Sequence, residues 1–320
     1  MLRRLVLAAV ILAPWCAWAA DVNGTITILE GDALIYRGAS RLYANEGVRL
    51  ESGDIVETAA SGFMQVELAD LSVIQFGPAT RVMMSASAGR QKPERWFFVM
   101  NGWCKVTGSK AAAADGSGFD VRTRLFTMPA NAGIVVFVQT PAEATLFVER
   151  GDVKVTEDQM TSSPTSVSLK SGDFYRRKAS ARGAVNPGSN EAFSTGMPRV
   201  FRDSLPLRLD RFHNQDVQPK EASDFVYADV ESWLNAEPWL RRPFVQRWRV
   251  KARNPAFRAA LVAGLASHPE WDPILFPDKY KKKEKPAVHA VRAPVAASGP
   301  GSLPTPARPA GEAASSPSTQ

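Results

Sequence analysis

The chain has 320 residues, 45% of them hydrophobic, enough for a substantial core and for more than one folding unit. Its formal net charge of +7 sits mostly outside the expected folded part: seven basic and three acidic residues lie from Pro277 onward, and Arg3 and Arg4 open the chain. The remainder is close to neutral, which excludes a broadly basic nucleic-acid-binding domain, so no nucleic-acid partner is expected.

Arg3-Arg4, the apolar run 5–13 and Ala17-Trp18-Ala19 follow the order of a secretory signal peptide. That leader is expected over residues 1–19, with cleavage after Ala19 and a periplasmic destination. The apolar run falls short of the roughly 20 residues a membrane-spanning helix needs. Trp15 is too bulky to precede a lipidated Cys16. Removal of the leader leaves Cys104 as the lone thiol, expected to be buried and inert.

Residues 22–178 read as strand almost throughout. Thr25 to Leu29 and Ala33 to Tyr36 begin the series. Beyond the Ser52-Gly53-Asp54 turn, apolar Met64, Val66 and Leu68 alternate with polar residues. A turn at Asp70-Leu71-Ser72 follows, and the alternation resumes at Ile74 and Phe76. Such a period predicts short antiparallel strands with one buried face. Two apolar runs, 96–100 and 103–106, flank Asn101-Gly102, which predicts a hairpin with a type I′ turn. Residues 109–118, rich in Ala, Gly and Ser, read as a solvated loop.

A Gly-Asp pair recurs at Gly31, Gly53, Gly151 and Gly172, shortly after Leu29, Leu50, Val148 and Leu169. Calcium takes about six to eight oxygens, and each copy supplies one acid. Structural turns are therefore expected, with Gly giving the backbone freedom and Asp bonding its own turn.

Leu50, Gly53-Asp54, Ile55, Thr58 and the strand 64–68 together resemble the FecR domain, a periplasmic module of bacteria. A second FecR-like block covers 144–178. The stretch Phe119 to Thr123 resembles the family strand that leads into an apolar-Gly-Thr motif. Two departures stand out: Leu71 where the family turn has Gly, and Ala132-Gly133-Ile134 without the Thr. The resemblance implies a mainly β chain, with an antiparallel β-sandwich or double-stranded β-helix-like FecR-type domain over 20–198. It also implies a binding, adaptor or signal-relay role in the cell envelope. Proteins of the family pass a receptor's state to a sigma factor, through a cytoplasmic segment ahead of a membrane helix. Here a leader is expected at that place, so only the binding role carries over.

Past Met197-Pro198 the pattern changes. Residues 199–221 read as a linker and 222–276 as a module of three short helices. Asp229 is placed to cap the first, through Leu234. Leu240, Phe244, Trp248 and Ala252 make an i, i+4, i+8, i+12 stripe on the second. Asn254-Pro255 opens the third, above Phe257, Leu261 and Leu265, and His268-Pro269 stops it. The Lys/Pro/Ala-rich tail, 277–320, is expected to be disordered.

No enzyme is expected, and no metal or cofactor. His213, His268 and His289 are far apart, and no metal, nucleophile-elbow or phosphate-loop motif occurs. The middle helix carries Arg241, Arg242, Arg247, Arg249, Lys251 and Arg253 with no acid among them. On a continuous helix Arg242, Arg249 and Arg253 share a face, and Trp239 flanks it. These four are the predicted partner-binding residues, facing an acidic envelope protein. The alternative is a cell-wall polysaccharide or peptidoglycan bound by exposed, coplanar aromatics on a β platform. Membrane contact is expected only through the leader or the basic start of the tail.

Overall fold

A computed structural model describes residues 22–280, apart from 89–92, 116–117, 131–132, 158–164 and 188–189. The expected leader, and the tail beyond 280, lie outside the described residues.

The described residues hold eighteen strands. The first nine are β1 (Val22–Glu30), β2 (Ala33–Arg37), β3 (Ser40–Tyr43), β4 (Arg49–Glu51), β5 (Ile55–Thr58), β6 (Phe63–Glu67), β7 (Val73–Phe76), β8 (Arg81–Ala88) and β9 (Pro93–Thr107). A short helix α1 (Lys110–Asp115) precedes β10 (Asp120–Arg122), β11 (Phe126–Pro129), β12 (Ile134–Gln139), β13 (Glu143–Arg150) and β14 (Val153–Glu157). Then come β15 (Thr165–Leu169), β16 (Asp173–Lys178), β17 (Ala184–Pro187), α2 (Glu191–Gly196) and β18 (Lys220–Glu221). Helices α3 (Tyr227–Leu234), α4 (Pro238–Arg247), α5 (Pro255–Ala263) and α6 (Asp272–Leu275) follow.

The strands form two sheets that share β9. Sheet A runs β4-β1-β6-β7-β9-β12-β13-β16-β17. Sheet B runs β18-β3-β2-β5-β8-β9-β10-β11-β14-β15. The mainly β, sandwich-like architecture is the expected one. Pairing is antiparallel except between β9 and β10, which run parallel. The main core lies between the sheets, where Ile26, Met64 and Val66 of A meet Ile35, Val56 and Val82 of B. Cys104 is buried in the same core, which pushes its thiol pKa up.

The four Gly-Asp pairs mark corners where the chain passes from one sheet to the other. Their glycines have φ of 69°, 88°, 88° and 92°, the left-handed region where a Cβ is costly. Asp54 accepts from the Glu51 N–H at 2.8 Å, and Asp173 accepts from the Lys170 N–H at 2.8 Å. The turn chemistry read from the pairs is therefore what these two carboxylates do.

Asn101-Gly102 does not make a hairpin. The strand continues through it, and β9 pairs with β8 in sheet B up to Asn101 and with β7 and β12 in sheet A from Gly102 or beyond. Gly102, at φ 107°, lies so close to Thr80 that any Cβ would collide with its backbone. The glycine is used for a change of sheet, which local turn propensity does not distinguish from a reversal. Residues 109–118 also differ from a plain solvated loop: α1 forms there, with Ser109 and Ala112 buried.

Leu71, the departure from the family turn, has φ 67° and is 64% exposed. A leucine there carries the left-handed strain and gains almost no burial. Leu71→Gly is expected to stabilise the fold by about 1 kcal/mol, read by thermal or urea unfolding.

Both sheets are covered over part of their outer faces. That is why β6 and β7 are buried at every position, where alternation predicted one buried face. Sheet A is covered by residues 193–209. Phe193 and Phe201 pack on Ile28, Phe63, Val136 and Phe174. The stretch expected as a linker, 199–221, is thus a strap. It crosses sheet A, buries Phe201 and Phe212, bridges Val48 through Val217, and adds β18 to the edge of sheet B.

The polar residues of β6 anchor the strap. Glu67, 3% exposed, accepts from Thr27 Oγ1 at 2.7 Å, Gln65 Nε2 at 3.0 Å and the Arg208 N–H at 2.9 Å on one oxygen. Its other oxygen accepts from the Leu209 N–H at 3.1 Å. Gln65 also donates to the Pro206 carbonyl at 3.2 Å.

Sheet B is covered by the helices, whose Phe225, Trp233, Phe244 and Trp248 pack on Tyr36, Ile55, Met83 and Phe98. Polar ties help to fix the docking. Trp248 Nε1 donates to the Gly38 carbonyl at 3.0 Å, and Arg247 Nη1 donates to the Gly53 carbonyl at 2.5 Å. Trp233 Nε1 donates to Glu57 at 3.3 Å, beside Arg81 at 3.3 Å. Burial raises the Glu57 pKa, and the Arg81 charge and the Trp233 hydrogen bond oppose that rise. Sheets, strap and helices belong to one compact unit that extends to Pro277.

Candidate binding surface

Helix α4 starts with Pro238 at its first position, where the missing N–H costs nothing. The expected stripe is buried throughout: Leu240, Phe244, Trp248 and Ala252 are each 5% exposed or less. The helix itself is shorter than expected. It ends at Arg247, and residues Arg249–Arg253 continue as a 3-10 turn. The i, i+7, i+11 relation that placed Arg242, Arg249 and Arg253 on one face assumed unbroken α geometry, so it lapses at Trp248. The first helix differs in detail too: Val226 is its cap, and Asp229 sits one turn in, accepting the Val226 N–H at 2.8 Å. Asn254 caps α5 as expected, accepting from Ala256 and Phe257.

Three of the six basic residues are tied down within the fold, by acids and carbonyls outside the basic run. Arg241 makes two hydrogen bonds to Glu270, at 3.0 and 2.9 Å, and a third to the Ala236 carbonyl. Burial opposes the charge of Glu270, but the Arg241 hydrogen bonds, a backbone hydrogen bond and the Arg241 and Arg242 charges together hold the carboxyl below the usual range. Arg247 lies over Phe244 and bonds Gly53. Lys251 pairs with Asp224 and lies 4.1 Å from the Phe225 ring centre. Arg242, Arg249 and Arg253 are exposed. Arg242 is 70% exposed and reaches Glu270 only at 4.0 Å.

Trp239 stands out among the tryptophans of the helical region. Trp233, Trp248 and Trp271 are core, at 1% exposure or less, whereas Trp239 is 47% exposed. Its ring is not loose. It packs edge-to-face on Trp96 at 5.8 Å and on Phe98 at 5.6 Å. Arg122 lies 5.3 Å from the Trp96 ring centre, and Arg124 pairs with Glu237 at 2.9 Å. Trp239 and Arg242, three apart on one α-helix, are surface neighbours. The result is a rigid aromatic pair rimmed by guanidiniums, the composition of an interface hot spot.

Trp96, Arg122 and Arg124 were not singled out from sequence. Parallel pairing sets Trp96 opposite Asp120 and so brings Arg122 close. No local pattern encodes that juxtaposition, and Trp96 reads as one more strand aromatic.

Among the described residues the histidines form no constellation. His213 is exposed and contacts Asn214, and His289 lies outside the described residues. His268 is fully buried, with Nε2 3.1 Å from Tyr227 Oη and no partner at Nδ1. Burial lowers its pKa, and Arg241 adds to that while Glu270 opposes it. The folded state therefore binds fewer protons than the unfolded one. The His268 contribution is full above the ordinary value of about 6.5 and is lost as pH falls below it. His268→Gln is expected to flatten the fall in thermal stability between about pH 7 and pH 5.

Among the described residues no group of three or more His, Cys, Asp or Glu side chains could hold a metal. A pocket of about 350 Å³ opens at the first Gly-Asp corner, lined by Leu29, Asp32, Tyr43, Asn45 and Lys220.

No family model matches the chain, and no curated protein matches it. Two crystal structures, at 1.65 and 2.50 Å, of a candidate anti-sigma factor from Parabacteroides distasonis ATCC 8503 resemble it. Each gives a TM-score of 0.35, at 16% and 17% identity. The matches cover 42% and 44% of this chain, which spans 59% and 64% of those chains.

Proposed function

We propose that the chain is a non-catalytic, FecR-like binding protein of the bacterial envelope, exported to the periplasm. Its partner is a protein with an acidic surface, met at the Trp239–Arg242 face of α4. The observation that carries this reading is the half-exposed Trp239, held by Trp96 and Phe98 beside the weakly paired Arg242. A rigid aromatic loses little entropy on contact, and a guanidinium forms bidentate bonds to carboxylate. The double variant Trp239→Ala/Arg242→Glu is expected to fold normally and to lose at least about tenfold in partner recovery from envelope extract, a change of about 1.4 kcal/mol or more. Binding by the native chain should weaken as salt rises. Undiminished recovery with the folded variant would remove this face from the mechanism.

A second reading, glycan binding, draws on the 350 Å³ pocket, where the exposed Tyr43 ring stands beside Asp32, Asn45 and Lys220. The edge-to-face tryptophans, 70° apart, do not make the coplanar platform that stacks on sugar rings. Titration with soluble peptidoglycan fragments separates the two readings: glycan binding is lost in Tyr43→Ala, while protein binding is not.

A further inference from the structure

The pocket at the first Gly-Asp corner holds two opposite charges that the fold does not pair. Asp32 and Lys220 both line it, and both are exposed. Among the described residues neither side chain makes a hydrogen bond or an ion pair, with the other or with a third group. Asp54 and Asp173 close their own turns at the equivalent corners, and Asp32 does not. The nearby carboxylate of Glu46 is engaged, by the Leu29 N–H at 3.2 Å and by Arg208 at 3.8 Å. The backbone fixes where the two free charges stand. The Asp32 carbonyl accepts from the Ala59 N–H at 2.9 Å, and Gly31 takes φ 69° to make the corner. Lys220 lies directly opposite Tyr43 in the β18–β3 pair, so its stem and the half-exposed ring are neighbours on one face.

We infer that this pocket takes an α-amino-acid head, an ammonium and a carboxylate on one carbon. Asp32 accepts from the ammonium, Lys220 donates to the carboxylate, and the Tyr43 ring covers the aliphatic chain. A neutral ligand would leave both charges unmet, and a singly charged one would leave one unmet. At about 350 Å³ the pocket is near the lower end of the roughly 300–1,000 Å³ of ligand sites, room for one such residue. Both ion pairs are open to solvent, so binding is weak and reversible. The inference rests on the second reading above for the pocket as a ligand site, and goes beyond it in the chemistry of the ligand. Two sources present this head: free amino acids, and the stem peptides that peptidoglycan carries on its sugars.

NMR titration of the purified chain with meso-diaminopimelic acid, up to about 10 mM, tests this. The native chain is expected to bind, with amide shifts centred on Asp32, Tyr43 and Lys220. Acetylating the amines or amidating the carboxylates of the probe should each weaken binding at least about tenfold. Asp32→Asn and Lys220→Met should do the same and keep the fold, since both side chains are exposed. Trp239→Ala/Arg242→Glu should bind the probe like the native chain, which keeps this test apart from partner binding. A disaccharide tripeptide ending in diaminopimelate separates the sources: binding as tight as the free probe supports the head on peptidoglycan, and its exclusion supports the head on a free amino acid. Equal binding by a blocked probe or by either single variant would overturn the proposal. Binding of uncharged N-acetylglucosamine trisaccharide in place of diaminopimelic acid would overturn it and leave the glycan reading standing. No binding by any of these probes would remove both.

Discussion

Trp248→Ala is expected to destabilise the protein by about 4 kcal/mol and to undock the helices from sheet B. The indole is fully buried and stacks on Phe244 at 4.3 Å with the rings 6° apart. It also meets Phe225 edge-to-face at 5.7 Å. Truncation removes that packing and leaves a cavity in the centre of the helical core, and it strands the Gly38 carbonyl that the indole N–H satisfies. Denaturant unfolding followed by fluorescence measures the loss. Because Tyr36, Ile55, Met83 and Phe98 depend on the same cover, Trp248→Ala should also raise the binding of a hydrophobic dye. A loss under about 1 kcal/mol would mean that the helices contribute little to the fold.

Glu67→Ala is expected to have a comparable effect, about 3 to 5 kcal/mol, for a different reason. One carboxylate satisfies two backbone N–H groups of the strap and two side chains of the sheet, all in a dry setting. Removing it leaves Thr27 Oγ1 and the Arg208 and Leu209 N–H groups without that acceptor, while Gln65 keeps the Pro206 carbonyl. Glu67→Gln keeps one carbonyl acceptor and should fall between the native chain and Glu67→Ala. The strap should also become the first segment to open, so hydrogen exchange at Arg208 and Leu209 should speed up before global unfolding. Unchanged exchange at both amides would remove Glu67 as the anchor.

The parts of the fold legible in the sequence were those set by local chemistry. Gly31, Gly53, Gly151 and Gly172 announce themselves because few other residues take their φ. Asn254-Pro255 is likewise a complete helix start within two residues. The stripe Leu240, Phe244, Trp248, Ala252 was legible as buried, although its helix was not legible as broken. What escaped was set by distance. Gln65 and Glu67 read as the solvent side of a strand, because nothing nearby signals that residues 206–209 will lie over them. Arg241 and Lys251 read as unpaired because their acids, Glu270 and Asp224, lie 29 and 27 residues away. The site divided the same way: Trp239 and Arg242 are neighbours by helical spacing, whereas Trp96 and Arg122 meet only through a parallel strand pair.

The helical cover of sheet B comes late in the chain, and this bears on how the protein reaches its native state. Trp248 seats on Gly38 across 210 residues, and Trp233 on Glu57 across 176. A chain that emerges from its N-terminus during synthesis presents β2, β5 and β8 long before their lid exists. Tyr36, Ile55 and Met83 are then an apolar surface open to solvent, and such long-range closure is slow. The interval between the emergence of the sheet and the arrival of its helices is the period of greatest exposure to aggregation. Holding chaperones therefore have most to offer this chain while residues 225–275 are still to come.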